Sequence, residues 1–317
     1  MTDYSKVWLA QKLGITYPII MAPMFLVTDV TMMVAALNSG ITAAIPAANA
    51  RSSEDLRKLI QSIKAQSNKP FGVNIITNKS NILQHRQLQV CVEEGVSFII
   101  TSLGSPLEVI KAAKEKGILV FCDVVDLKFA QKVAEMGADA IIAVNRDAGG
   151  HSGVMSKNEL LEMLKSNVSI PVISAGGVSN AVGFSDTIAL GADGLSIGTV
   201  FIASTESPVS EGYKNACIEF GAKDIVMTTK LSGTPCTVIN TPYVQKIGTE
   251  QNWLEKLLQK NKRLKKWMKA FVFLRGMKKL QKAAFSTTYQ SVWCAGKSIE
   301  NVTEVLPIKV IVDNLVA

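Results

Sequence analysis

The strongest constraint on this chain is a repeat of short apolar runs, each followed by an amphipathic stretch, continuing from Pro18 to about Thr199. Eight runs read as strands: Pro18–Pro23, Ile41–Pro46, Phe71–Ile76, Ser97–Ser102, Ile118–Val124, Ala138–Val144, Pro171–Ala175 and Gly194–Gly198. They are rich in Val, Ile and Ala without strict alternation, as expected of parallel strands buried on both faces. Between them lie helical patterns, such as Ser53–Ser67, opening on Ser-Ser-Glu-Asp, and Pro106–Lys116, with Pro in its first turn. Eight such units close into a barrel more readily than they form an open sheet. An open doubly wound sheet would also show a Gly-x-Gly-x-x-Gly turn after its first strand, and none is present. The expected fold is therefore α/β, a (β/α)8 TIM barrel.

The repeat breaks after about Phe220. Leu254–Ala284 reads as a basic amphipathic helical stretch, with Leu264, Trp267, Met268, Phe271 and Leu274 on one face. The expected organisation is a barrel from residues 1–220 and 291–317, with 221–290 a small helical insertion covering the active site. The last segment, from Ser298, is expected to return to the barrel as a helix.

Composition narrows the function classes. At 317 residues, 48% hydrophobic and 19% charged, the chain is globular and can bury a large core. No apolar run reaches the roughly 18 residues a membrane span needs, and the first residues lack a signal-peptide pattern. Five widely spaced cysteines read as reduced thiols of a cytoplasmic protein, and no His/Cys cluster has metal-ligand spacing. Of the net charge of +8, residues 250–285 alone supply +9, eleven Lys/Arg against Glu250 and Glu255, leaving −1 for the rest. One local basic segment is not a nucleic-acid footprint, and no such partner is expected.

Chemistry-bearing residues fall at the ends of the expected strands, where barrels of this kind place their active sites. Ala148-Gly149-Gly150-His151-Ser152-Gly153 follows the sixth strand and sets one of two histidines in a glycine-rich turn. A histidine there can carry a proton near neutral pH. The other, His85, lies in a polar helical stretch and reads as solvated. Ser174-Ala175-Gly176-Gly177 after the seventh strand and Gly198-Thr199 after the eighth match the phosphate site common to these barrels. Ala22-Pro23-Met24 ends the first strand. Asn74, in the third, offers an amide suited to a flat heterocycle. Asp123, ending the fifth, either faces a cofactor or is a structural carboxylate bonded to loop amides.

These motifs together, with Met21 and Gly72-Val73 beside them, resemble the nitronate monooxygenase (2-nitropropane dioxygenase) family of FMN-dependent barrels. The resemblance implies FMN, with its phosphate on Gly176, Gly177, Gly198 and Thr199 and its ring near Ala22, Met24 and Asn74. It further implies oxidation of small alkyl nitronates by molecular oxygen, with His151 as the catalytic base that removes the α-proton when the substrate is a neutral nitroalkane. The cofactor-facing set is then Ala22, Pro23, Met24, Asn74, Asp123, Ala148, Gly149, Gly150, Ser174, Gly176, Gly177, Gly198 and Thr199, and a homodimer is left open. Val144-Asn145-Arg146-Asp147 departs from the Gln-Gly-x-Glu usual in that family. Related flavin barrels reduce enoyl thioesters or quinones with NADH, and Ser291-Val292-Trp293-Cys294-Ala295-Gly296 resembles their segment returning toward the flavin. An NADH-dependent reductase and a non-catalytic FMN-binding protein are the alternative readings.

Overall fold

The computed structural model describes residues 3–79, 81–230, 234–250 and 292–317. Each expected strand forms inside its apolar run: β1 (Ile19–Met21), β2 (Thr42–Pro46), β3 (Gly72–Ile76), β4 (Phe98–Ser102), β5 (Leu119–Val124) and β6 (Ala140–Val144). After a two-residue strand β7 (Gly150–His151) come β8 (Val172–Ala175) and β9 (Leu195–Ile197). The order β1-β2-β3-β4-β5-β6-β8-β9 is a closed barrel, all parallel, sealed by β9 against β1 with Ile19 opposite Leu195 and Met21 opposite Ile197. The fold is thus a (β/α)8 TIM barrel.

The absence of polar alternation has a direct cause. Ile20, Phe98, Ile100, Phe121, Ile142 and Ile173 point into the barrel, where they pack with Leu9. Their neighbours Ile19, Met21, Ile99, Val120, Ile141 and Val172 pack outward against the helices. Both faces of each strand are therefore core. The helix α1 (Trp8–Leu13) plugs the amino end of the barrel: Leu9 N–H donates to Asp193 O at 3.0 Å, and the Trp8 ring meets Phe121 edge-on at 6.0 Å. Phe98 stacks on Phe121 at 4.9 Å, and a Cβ on Gly72 would fall inside the Phe98 ring.

The outer helices are α2 (Val30–Asn38), α3 (Ser53–Gln66), α4 (Gln84–Glu94), α5 (Leu107–Lys114), α6 (Leu127–Glu135), α7 (Lys157–Asn167) and α8 (Ala181–Ala189). Side-chain caps start several of them: Ser52 on α3, Asp126 on α6, a Ser156–Glu159 capping box on α7 and Asn180 on α8. The helix after β9 is supplied by the chain terminus. Ile308–Val316 packs against α2 and α8.

The stretch 221–290 differs from the helical expectation where it is described. After α9 (Glu211–Glu219), strands β10 (Ile225–Thr228) and β11 (Cys236–Ile239) form an antiparallel hairpin, followed by the short helix α10 (Pro242–Ile247). β11 also pairs with β7, setting Cys236 opposite His151 and Thr237 opposite Gly150. Two four-residue, β-branched runs make strands because β7 offers β11 a second edge. The amphipathic stretch Leu254–Ala284 lies outside the described residues.

Candidate active site

The barrel strands open at their carboxyl ends into a cavity of about 800 Å³. Of His151 and the cofactor-facing set read from the sequence, every residue except Ser174 lines it. Ser174 is buried within β8, and its N–H donates to Gly194 O. It is a wall residue turned away from the cavity, because strand residues alternate and Ala175 takes the inward position.

The glycine pairs form a cradle. Gly176 and Gly177 have φ of +106° and +76°, and a Cβ on Gly176 would lie 2.6 Å from Ala148 N. Only glycine fits such a left-handed, crowded position. Among the described residues, no acceptor meets the main-chain N–H groups of Gly177, Gly198 and Thr199. Main-chain N–H groups grouped in this way are the kind of donor from which anion sites are built. The Thr199 hydroxyl accepts from Gly296 N–H at 3.0 Å, which ties the cradle to the segment returning from the insertion. Met24 lies against Gly198, and Ala22 N–H donates to Ile197 O at 2.8 Å, so the end of β1 forms the adjoining wall.

The loop carrying His151 is pinned from three sides. Asn145 is fully buried; its amide donates to Gly176 O at 3.0 Å and accepts from Asp147 N–H at 2.8 Å. The Thr237 hydroxyl, from β11, reaches Ala148 O at 2.6 Å and Gly150 O at 3.2 Å. Lys297 donates its main-chain N–H to Asp147 O and places its ammonium 3.0 Å from the Asp147 carboxylate. His151 thus sits on a short strand fixed against β11. Burial lowers the pKa of its imidazole, so the ring is neutral at neutral pH and able to take a proton.

Asn74 donates to Ser102 Oγ at 2.7 Å, leaving its amide oxygen as the acceptor toward the cavity. Asp123 lines the cavity without a hydrogen-bond partner among the described residues, and burial raises its pKa to about 7. The loop amides do not hold it; the carboxylate capping the following helix is Asp126, which accepts from Phe129 N–H at 2.7 Å. The Ser152 hydroxyl, beside His151, is buried and also lacks a partner. Asp123 and Ser152 thus place a carboxyl and a hydroxyl with no protein partner on the wall of the cavity.

Sequence reasoning missed Asn145, Thr237, Cys236 and Tyr213. Asn145 stood out only as a departure from a motif, and the other three come from segments whose pairing with the barrel has no local signature. His85 is exposed, 3.7 Å from Glu108, as its polar surroundings suggested.

Residues 6–317 match the family model described as nitronate monooxygenase. A nitronate monooxygenase of Paraburkholderia phytofirmans is 29% identical over 280 residues, covering 74% of this chain and 76% of that protein. A (3aS,4S,5R,7aS)-5-hydroxy-7a-methyl-1-oxo-octahydro-1H-indene-4-carboxyl-CoA dehydrogenase of Rhodococcus jostii is 31% identical over 244 residues, 77% of this chain and 68% of that protein. Among solved structures, FabK from Thermotoga maritima superposes with a TM-score of 0.84 at 30% identity, covering 97% of this chain and 94% of that one. The barrel, the glycine cradle, the half-buried histidine on the cavity wall and the match along nearly the whole chain lead to one assignment: this chain belongs to the nitronate monooxygenase family of flavin-type oxidoreductases.

Proposed function

We propose that the chain binds FMN and oxidises alkyl nitronates, and nitroalkanes after proton removal, with molecular oxygen, yielding a carbonyl compound and nitrite, with His151 as the catalytic base. The observation carrying this reading is a neutral imidazole on the wall of the same cavity as a set of main-chain N–H groups that no protein acceptor meets. The cradle fits a phosphate, since Gly177, Gly198 and Thr199 offer main-chain N–H groups at the cavity wall, and glycine at 176 lets the two loops that carry them approach closely. Ala22, Met24 and Asn74 line the route from that cradle across the barrel mouth, where a flat ring would lie. When bound, FMN supplies the electron acceptor. The protein's share is to bind, orient and move a proton. His151 takes the α-proton of a neutral nitroalkane, while Asn74 and the apolar walls hold the substrate and exclude water. The insertion, 221–290, covers this site in our reading, with β11 as its inner edge.

The test is oxygen uptake with propionate 3-nitronate and with nitroalkanes. His151→Asn is expected to retain flavin and to lose about 10²- to 10⁴-fold in turnover of neutral nitroalkanes. Preformed nitronates, which need no base, should be affected far less. Wild-type rates on nitroalkanes in that variant would remove His151 from the role.

A second reading is favoured by one observation, the 31% identity to a dehydrogenase named for a CoA thioester. In it, the same cavity serves an NADH-dependent flavin enzyme of enoyl thioesters or quinones. Anaerobic NADH separates the two: rapid bleaching of bound flavin supports the reductase, and slow or no bleaching supports the nitronate chemistry.

A further inference from the structure

Two thiols on the cavity wall play no part in the chemistry above. Cys236, in β11, and Cys294, in the return segment, both line the cavity, with their sulfurs 3.7 Å apart. Cys236 is buried and Cys294 is partly exposed. Both backbones are held. Ile239 N–H donates to Trp293 O at 2.9 Å, the Tyr213 hydroxyl donates to Cys294 O at 2.5 Å, and Trp293 stacks on Tyr213 with ring centres 5.4 Å apart. The other three cysteines, Cys91, Cys122 and Cys217, are buried away from the cavity.

We propose that Cys236 and Cys294 form a dithiol site that reacts with hydroperoxides and closes to a disulfide across the cavity wall. The sulfurs already touch, and bonding at about 2.0 Å requires a shift on the order of 1 Å from each side. Cys294, the exposed member, attacks the peroxide: its S–O bond forms as the O–O bond breaks, and the departing hydroxide leaves as water with the thiol proton. Cys236 then attacks the resulting sulfenic acid. The S–S bond forms, the S–O bond breaks, and a second water departs. Two thiols lose two electrons, and one hydrogen peroxide becomes two waters. The order of the two steps follows from access: Cys294 is partly exposed and meets the peroxide first, while Cys236 is buried and reaches only its neighbour's sulfur.

The position gives the bond a consequence. Cys236 lies opposite His151, and its neighbour Thr237 holds the carbonyls of Ala148 and Gly150. A covalent tie between β11 and the return segment fixes the strand that supports His151. It also closes a loop containing residues 237–293, which narrows the unfolded ensemble. The thiol chemistry takes its hydroperoxide from solution and does not depend on the nitronate reading above.

The experiment titrates the full-length protein with hydrogen peroxide, alkylates the remaining thiols and maps peptides by mass. The expected product is a Cys236–Cys294 linked peptide lacking two hydrogens, reversed by dithiothreitol, with a thermal midpoint raised by several degrees. Cys236→Ala should lose the link and leave Cys294 oxidised to an acid; Cys294→Ala should leave Cys236 a free thiol. Should either variant fold poorly, the wild-type peptide map still decides. Overoxidised Cys294 beside a free Cys236 in the wild type, or survival of both thiols at peroxide levels that oxidise methionines, overturns the proposal. The readout is a mass, so failure of the nitronate assay would leave it standing.

Discussion

Burial moves Asp123 and His151 in opposite directions on the pH scale and toward the same end, the uncharged form of each side chain. Asp123 rises to about 7 in the folded protein, above its unfolded value near 4. The folded state therefore holds this proton more tightly. The associated stability is complete below about pH 4 and is lost as pH rises through 7. Asp123→Asn should consequently match the wild type in urea unfolding near pH 4 and exceed it by about 2 kcal/mol at pH 8, less than the full shift because water in the cavity relaxes the charge. Equal stability at both pH values would mean that Asp123 is solvated. His151 has the reverse sign. Its folded pKa is depressed, so stability is lost as pH falls below the ordinary value near 6.5. The same shift keeps the base unprotonated at lower pH, so nitroalkane turnover should decline only below the ordinary histidine range. An acid limb unchanged in His151→Asn would assign it to another group.

At the scale of elements, the His151 loop depends on a strand contributed from 87 positions along the chain, through the Thr237 bond to Gly150. Thr237→Val keeps the shape and removes the hydroxyl proton that the Ala148 and Gly150 carbonyls share. It should cost about 1–3 kcal/mol, because the buried Ala148 carbonyl loses its hydroxyl donor, and should speed amide exchange at residues 148–151. Gly176→Ala, by contrast, should abolish flavin retention, since its Cβ meets Ala148 at a positive φ. A yellow, stable Gly176→Ala protein would move the cofactor elsewhere. These cases separate what the sequence carries from what it conceals. The barrel strands were legible because each buries both faces and leaves an unbroken apolar run. The cradle was legible because close approach demands glycine. The β10–β11 hairpin was not, because four-residue strands made stable by pairing with β7 have no period long enough to read. Ser174 was misplaced toward the ligand because a motif fixes its position in the chain, while the pleat decides which face it takes. Asn145 breaks a family pattern yet binds Gly176, so its role became visible only across two loops.

Over the whole molecule, the barrel is closed by a helix belonging to the far end of the chain. β9 ends at Ile197, yet the helix that covers its side, Ile308–Val316, arrives only after the insertion has returned. The chain holds it there specifically: Thr205 N–H donates to Leu306 O at 3.1 Å, and the Glu206 carboxylate accepts from Ile308 N–H at 3.1 Å, capping the first turn. Ile308, Ile311, Val312 and Leu315 are buried against the barrel's helices. Removing residues 307–317 exposes these contacts, and four side chains at about 1.5–3 kcal/mol each approach the roughly 5–15 kcal/mol that holds a typical protein folded. The truncated chain should therefore lose cooperative unfolding and bind a hydrophobic dye, and amide exchange should be fastest at Ile19–Met21 and Leu195–Ile197, the seam between first and last barrel strands. Returning the missing helix as a separate peptide should restore protection at that seam in proportion to its concentration. If the truncated protein unfolds cooperatively at the wild-type midpoint, the seam is self-sufficient and the helix is only a cover.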